Sequence, residues 1–201
     1  MSLWEPSSTS LTESDHTLID ESVALLETVG VYPHLGVEHE DIEDSVADDL
    51  ALFRRRPLLT LLGACDPDDD RVFYYVFVDD SRRARTTRSQ LLAFFTELAE
   101  SAGSLSQVSD LFDFPDANSP GSGSLRFQVG EWDVHDLEYD LDPDFGDVCA
   151  ELRLPQLVAL PGMTALTYEG ACHSNPLTVW VDTLAAEETG FGSLIEAELA
   201  H

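Results

Sequence analysis

The chain has 201 residues, with 39 Asp or Glu against 10 basic residues, every one of them arginine, and a formal net charge of −29. An apolar content of 43% is enough to build a core, so a wholly disordered chain is excluded. Charge of this sign argues against direct nucleic-acid contacts, which need Lys and Arg to displace counterions, and against anionic membrane surfaces.

Residues 1–14 are rich in Ser, Thr and Pro and read as a flexible N-terminal tail, with Trp4 its largest apolar residue. Residues 15–201 read as one α+β domain. The N-terminus carries no basic stretch followed by an apolar one, and no apolar run reaches membrane-spanning length. Cys65, Cys149 and Cys172 are odd in number and form no C-x-x-C. They indicate neither a disulfide framework nor a zinc site, and a reducing cytoplasm is the expected compartment.

A first helix is expected over 18–29, capped by Thr17 and ended by Gly30. A second is expected over 41–55, with Ile42, Val46, Leu50 and Phe53 as its stripe and Pro57 as its stop. Residues 57–65 read as an apolar strand and the Asp-rich run after it as a turn. The strand 72–78 then returns, giving a hairpin. Its unbroken β-branched and aromatic run marks it as the central strand, buried on both faces.

Thr87 and Gln90 form a capping box ahead of a helix over 88–102, with Leu91, Phe94, Phe95 and Leu98 on one face. The Ser, Asp, Pro and Gly content of 104–123 predicts a long flexible loop, in which Leu111, Phe112 and Phe114 form a short helical turn pinned on the core. Alternation at Leu125, Phe127 and Val129, a tight turn at Gly130-Glu131, and Trp132 and Val134 beyond it predict a second hairpin. Residues 162–169 and 177–182 read as two more strands. The tail reads as two helical pieces broken at Gly190 and Gly192, the second opened by a capping box of Ser193 and Glu196. Together these predict a mixed, largely antiparallel sheet of about five to six strands with helices packed mainly on one face.

No nucleotide-binding, hydrolase, kinase or zinc-protease motif occurs, and no cofactor is expected. Asp140, Asp142, Asp144 and Glu151 resemble a calcium loop, but Phe145 stands where that loop needs Gly and Asp147 where it needs an apolar residue, so no metal is assigned. Cys172 and His173 are adjacent, a poor arrangement for a nucleophile and its base. Eight of the ten arginines lie between Arg54 and Arg88, a pattern that helix-end dipoles and surface ion pairs account for.

The composition therefore points to a non-enzymatic acidic binding protein of the immunity-protein or antitoxin kind, neutralising a basic partner such as a toxin or nuclease. The candidate carboxylates form three groups: Glu38, Glu40, Asp41, Asp44, Asp48 and Asp49; Asp66, Asp68, Asp69 and Asp70; and Asp133, Asp136, Glu138, Asp140, Asp142, Asp144 and Asp147. The alternatives are a DNA mimic blocking a DNA-binding enzyme, a halophile-type cytosolic enzyme or subunit whose charge is a solvent adaptation, and an acidic secretion-type chaperone with an apolar groove.

Overall fold

The computed structural model describes residues 10–64, 71–79, 87–119, 121–131, 133–141, 154–172 and 175–200. Its class is α+β, but the strands form two three-stranded sheets rather than one, and every pairing is antiparallel.

The N-terminal third is helical. Helix α1, Glu13–Thr28, starts earlier than its apolar spacing predicts, because the box that caps it is Thr12 with Asp15. Thr17 lies inside the helix, its hydroxyl donating to the Glu13 carbonyl. The expected second helix is two: α2, His39–Asp48, and α3, Leu50–Phe53. They part at Asp49, whose backbone leaves the helical region and whose carboxylate accepts from the Leu52 N–H.

The predicted strand at 57–65 is instead helix α4, Pro57–Leu62. Pro57 fits the first helical position, where a missing N–H costs nothing. The next two N–H groups, of Leu58 and Leu59, donate to the Glu198 carboxylate at 3.1 and 2.9 Å. A helix this short is not stable by itself. A cap supplied from the other end of the chain selects helix over strand.

The predicted hairpin therefore does not form, and 72–78 is not the central strand. Only β1, Val76–Val78, is extended, and it lies on a sheet edge. Tyr75 breaks the run at φ +63°, and Phe73 makes a single bridge to Pro33. The centre of the first sheet is β6, Asn175–Asp182, between β1 and β5, Met163–Cys172. Leu177, Val179 and Val181 face a core built with α1–α4. Trp180 points the other way, into a second core. After β6 come α6, Thr183–Thr189, and α7, Phe191–Leu199. The break is at Gly190 alone, which adopts φ +66°. Gly192 and Ser193 lie inside α7, so Ser193 caps nothing.

Helix α5, Arg88–Ser101, has the capping box of Thr87 and Gln90 that the sequence announces. Its Leu91, Phe94, Phe95 and Leu98 meet the second sheet, where the Phe95 and Phe127 rings pack edge to face at 4.7 Å. The long loop expected over 104–123 holds a strand instead, β2, Val108–Pro115. It pairs with β3, Ser122–Val129, which pairs with β4, Asp133–Asp140. The β3–β4 closing pair is Val129 with Asp133, so the turn between them holds three residues rather than two. No described helix is long and apolar enough to cross a membrane.

Asp15 ties the helical layer together. It is almost fully buried and accepts from Arg54 Nε and Nη2 at 2.8 and 2.7 Å and from the Thr12 N–H and hydroxyl at 2.8 and 2.6 Å. The Arg54 guanidinium, helped by Thr12, holds its carboxyl well below the usual carboxylate range. A depressed carboxylate contributes stability above its unfolded value, about pH 3.9, and loses it as pH falls through the folded one. Asp15→Asn is expected to lower the melting temperature at neutral pH and to flatten its decline below about pH 4. Melting curves from pH 2 to 7, about the range those carboxylates span, check this; parallel acid limbs for the two proteins would refute it.

Candidate functional site

The second sheet has one covered and one open face. Strand alternation puts Leu125, Phe127, Val129, Leu137 and Tyr139 against α5. The opposite face carries Phe112 and Phe114 on β2, Ser122, Ser124, Arg126 and Gln128 on β3, and Val134, Asp136, Glu138 and Asp140 on β4. Phe112 and Phe114 are each about half exposed (51% and 50%) and Val134 more so (60%). Phe112 and Phe114 are therefore not the pinned turn that their sequence context predicts. The overlooked signal is the alternation Phe112-Asp113-Phe114, a strand period inside a polar stretch.

The register orders this face in rungs. Phe112, Arg126 and Asp136 form one; Phe114, Ser124 and Glu138 form the next; Ser122 and Asp140 follow. An aromatic row thus runs along β2 and an acidic row along β4, about 9.6 Å apart across two strand spacings, with small serines between them. Arg126 bridges the rows. It bonds Asp136 through Nε and Nη2 at 2.8 and 3.0 Å, and its guanidinium lies 5.9 Å from the Phe114 ring centre. That pairing lowers the Asp136 carboxyl and raises the Arg126 guanidinium from their ordinary values. Among the described residues of β4, Asp136, Glu138 and Asp140 give this face its carboxylates.

Beneath the face, Tyr139 Oη donates to Asp113 Oδ1 at 2.7 Å, and Asp113 also accepts from Arg88. Burial, reinforced by the Asp113 carboxylate, pushes the Tyr139 phenol up to about 12. This chain of contacts fixes β2, β4 and the start of α5 against one another.

The structure separates the candidate carboxylates by the work they do. Asp41 accepts from the Glu38 N–H at the start of α2 (2.7 Å), Asp49 caps α3, and Asp136 is held by Arg126. Glu40, Asp44 and Asp48 recur every fourth residue as an exposed stripe on α2. Glu38, Glu138 and Asp140 are also exposed, and Asp133 opens β4. Asp66, Asp68, Asp69, Asp70, Asp142, Asp144, Asp147 and Glu151 lie outside the described residues, as do the Asp133 side chain, Trp4, Trp132, His173, Arg82, Arg83 and Arg85.

Two further features lie on the helical layer. Glu43 Oε1 sits 2.7 Å from His16 Nδ1 and 3.1 Å from His39 Nε2, which clamps α1 to α2. Among the described residues, no three His, Cys, Asp or Glu side chains are placed to hold a metal. An apolar groove of about 360 Å³ lies between α1, α4 and α7, lined by Leu18, Leu25, Leu58 and Leu194. Glu198 also lines it; burial raises its carboxyl, and the Leu58 and Leu59 N–H bonds pull it back.

No family model matches the chain, and comparison with curated proteins and with solved structures finds no match.

Proposed function

We propose that the protein is a non-enzymatic binding protein that engages a basic partner, as an immunity protein or antitoxin does, through the open face of the β2–β3–β4 sheet. The observation that carries this reading is the half-exposed Phe112 and Phe114 beside the row of Asp136, Glu138 and Asp140. Large apolar side chains left half in water beside a row of carboxylates mark a surface that a partner can cover. Aromatic anchors supply affinity; the carboxylates beside them supply steering and choice of partner. A second copy of this chain is a poor occupant, because two chains of net charge −29 repel each other.

Two measurements test this. The protein is expected to stay folded in dilute buffer; a fold that forms only in molar KCl would mark the acidity as adaptation to salt. In affinity capture at low salt, the wild-type chain is expected to retain a cationic protein that salt releases. Phe112→Ser/Phe114→Ser and Glu138→Gln/Asp140→Asn should each lose it. Equal retention by all three proteins would remove this face from the interaction.

A further inference from the structure

Resting on that reading, we infer that the basic partner contributes an extended cationic segment, which joins the β2–β3–β4 sheet as a fourth strand along the outer edge of β4. Among the described strands, β1 and β5 are the edges of the first sheet and β2 and β4 those of the second. β1 has three residues. On β5, the outward N–H groups of Met163 and Ala165 are taken by the Leu160 carbonyl and by Gln156 Oε1, and the register shifts between Tyr168 and Cys172. β2 shifts register between Ser109 and Phe112, where Asp110 has φ +51°, and it ends at Pro115, which has no N–H. Shortness, bulges and prolines are devices that blunt an edge against added strands. β4 has none of them. Its eight residues, Asp133–Asp140, run in unbroken register with β3 and include no proline.

Bonded and non-bonded pairs alternate along an antiparallel ladder. The Leu141 N–H donates to the Gly121 carbonyl just beyond β4, which puts Tyr139, Leu137 and His135 at the positions that bond β3. The N–H and C=O groups of Val134, Asp136 and Glu138 therefore point outward, repeating about every 6.8 Å, and no described strand pairs with them. The side chains of these three residues are exposed on the open face. An added strand widens that face, and its residues opposite them stand on it too. Arg126 holds Asp136 from the β3 side, so Glu138 does most to select the residue across from it. Opposite charges across a strand pair stabilise it and like charges oppose it, so Glu138 favours a cation and disfavours the acidic edge of a second copy. Val134 is 60% exposed and favours an apolar residue four positions away on the same face of the incoming strand. Main-chain bonds give such a strand its affinity, and alternate side chains give it selectivity.

The test uses the full chain and a labelled peptide of about eleven residues, threonine throughout except for a central valine and a lysine four positions to either side, so that it reads alike in both directions. Two derivatives carry backbone N-methyl groups. In one they sit on the residues that share a face with the valine and lysines, whose N–H groups bond β4; in the other they sit on the alternate residues, whose N–H groups face away. Fluorescence anisotropy is expected to show the first derivative binding at least roughly tenfold more weakly than the second. Glutamate in place of lysine in the peptide should weaken binding by roughly tenfold, and Glu138→Gln by roughly threefold with a smaller salt dependence. Val134→Pro removes one outward N–H and none that bonds β3, so it should weaken binding while the melting temperature stays close to that of the wild type. Circular dichroism on each variant separates lost binding from lost fold.

If the two methylated peptides bind alike, the segment does not add to the edge and the inference falls; weakening of both by Phe112→Ser/Phe114→Ser would then keep the functional reading, with the segment lying on the open face. If the glutamate peptide binds as tightly as the lysine one, the edge takes strands without regard to charge, a second copy included, and the inference falls. If the folded chain binds no peptide, the inference falls and the affinity capture above decides the functional reading by itself.

Discussion

Trp180→Ala is expected to destabilise the protein by about 3–5 kcal/mol, the range for truncating a large buried aromatic side chain. Trp180 is fully buried at the middle of β6, facing the core shared by α5 and the second sheet. Its indole N–H donates to the Pro155 carbonyl at 2.7 Å. Truncation leaves a cavity and also strands that carbonyl, which then lacks a donor in a dry site. Domains are commonly stable by about 5–15 kcal/mol, so the loss is a large fraction of the total. In a chain of this size it corresponds to a drop of roughly 10–15 °C in melting temperature. Trp180→Phe separates the contributions. It keeps most of the packing and loses the hydrogen bond, with an expected cost of about 1–3 kcal/mol. Denaturant titration of the three proteins measures both, and a Trp180→Ala midpoint within error of wild type would show that β6 is not the centre of the structure.

Gly123→Ala is the second large effect, and two opposing contributions determine its sign. Alanine is favoured over glycine in a strand by about 0.5–1 kcal/mol, because it has less freedom to lose. At this position an added Cβ would lie 2.6 Å from the Phe114 carbonyl oxygen, 2.6 Å from Tyr139 Oη and 2.8 Å from its ring carbon. The carbonyl belongs to the neighbouring strand and cannot retreat without opening the β2–β3 ladder. The Tyr139 ring lies over Gly123 to reach Asp113, so displacing it also breaks the contact that leads on to Arg88. Crowding of this kind costs about 1–3 kcal/mol, occasionally more, and it outweighs the entropic gain. Two readouts follow. The melting temperature should fall. The Tyr139 phenol, pushed up to about 12 in the native chain, should titrate closer to its ordinary value as its site opens. A variant at least as stable as wild type would show that the crowding is relieved elsewhere. Because the same shift moves the strand that carries Phe112 and Phe114, retention of a cationic partner should weaken along with stability.

Local features with their own signal were legible in the sequence. The Thr87 and Gln90 box specified where α5 begins, because both of its hydrogen bonds lie within four residues. The alternation of Leu125, Phe127 and Val129 specified β3 and which of its faces is buried. The strands β5 and β6 were readable as a pair, though longer than their apolar cores indicate. The acidity too is a property of composition alone.

Apolar runs without a period were decided only by tertiary structure. The residues of α4 and those of 72–78 are comparably apolar, and neither run has a period that tells helix from strand. The Glu198 carboxylate, 140 residues from Leu58 in the chain, satisfies the first N–H groups of α4 and makes it a helix. The backbone at Tyr75 turns the other run into a short edge strand, and β6 takes the centre because cores form on both of its sides. Among the candidate residues, sequence identified Asp136, Glu138 and Asp140 as acidic but not as one row, and it placed Phe112 and Phe114 in a loop. The physical reason is the same throughout. Periodicity records which side of an element is apolar, whereas the surface that covers it, or leaves it open, comes from residues far away in the chain.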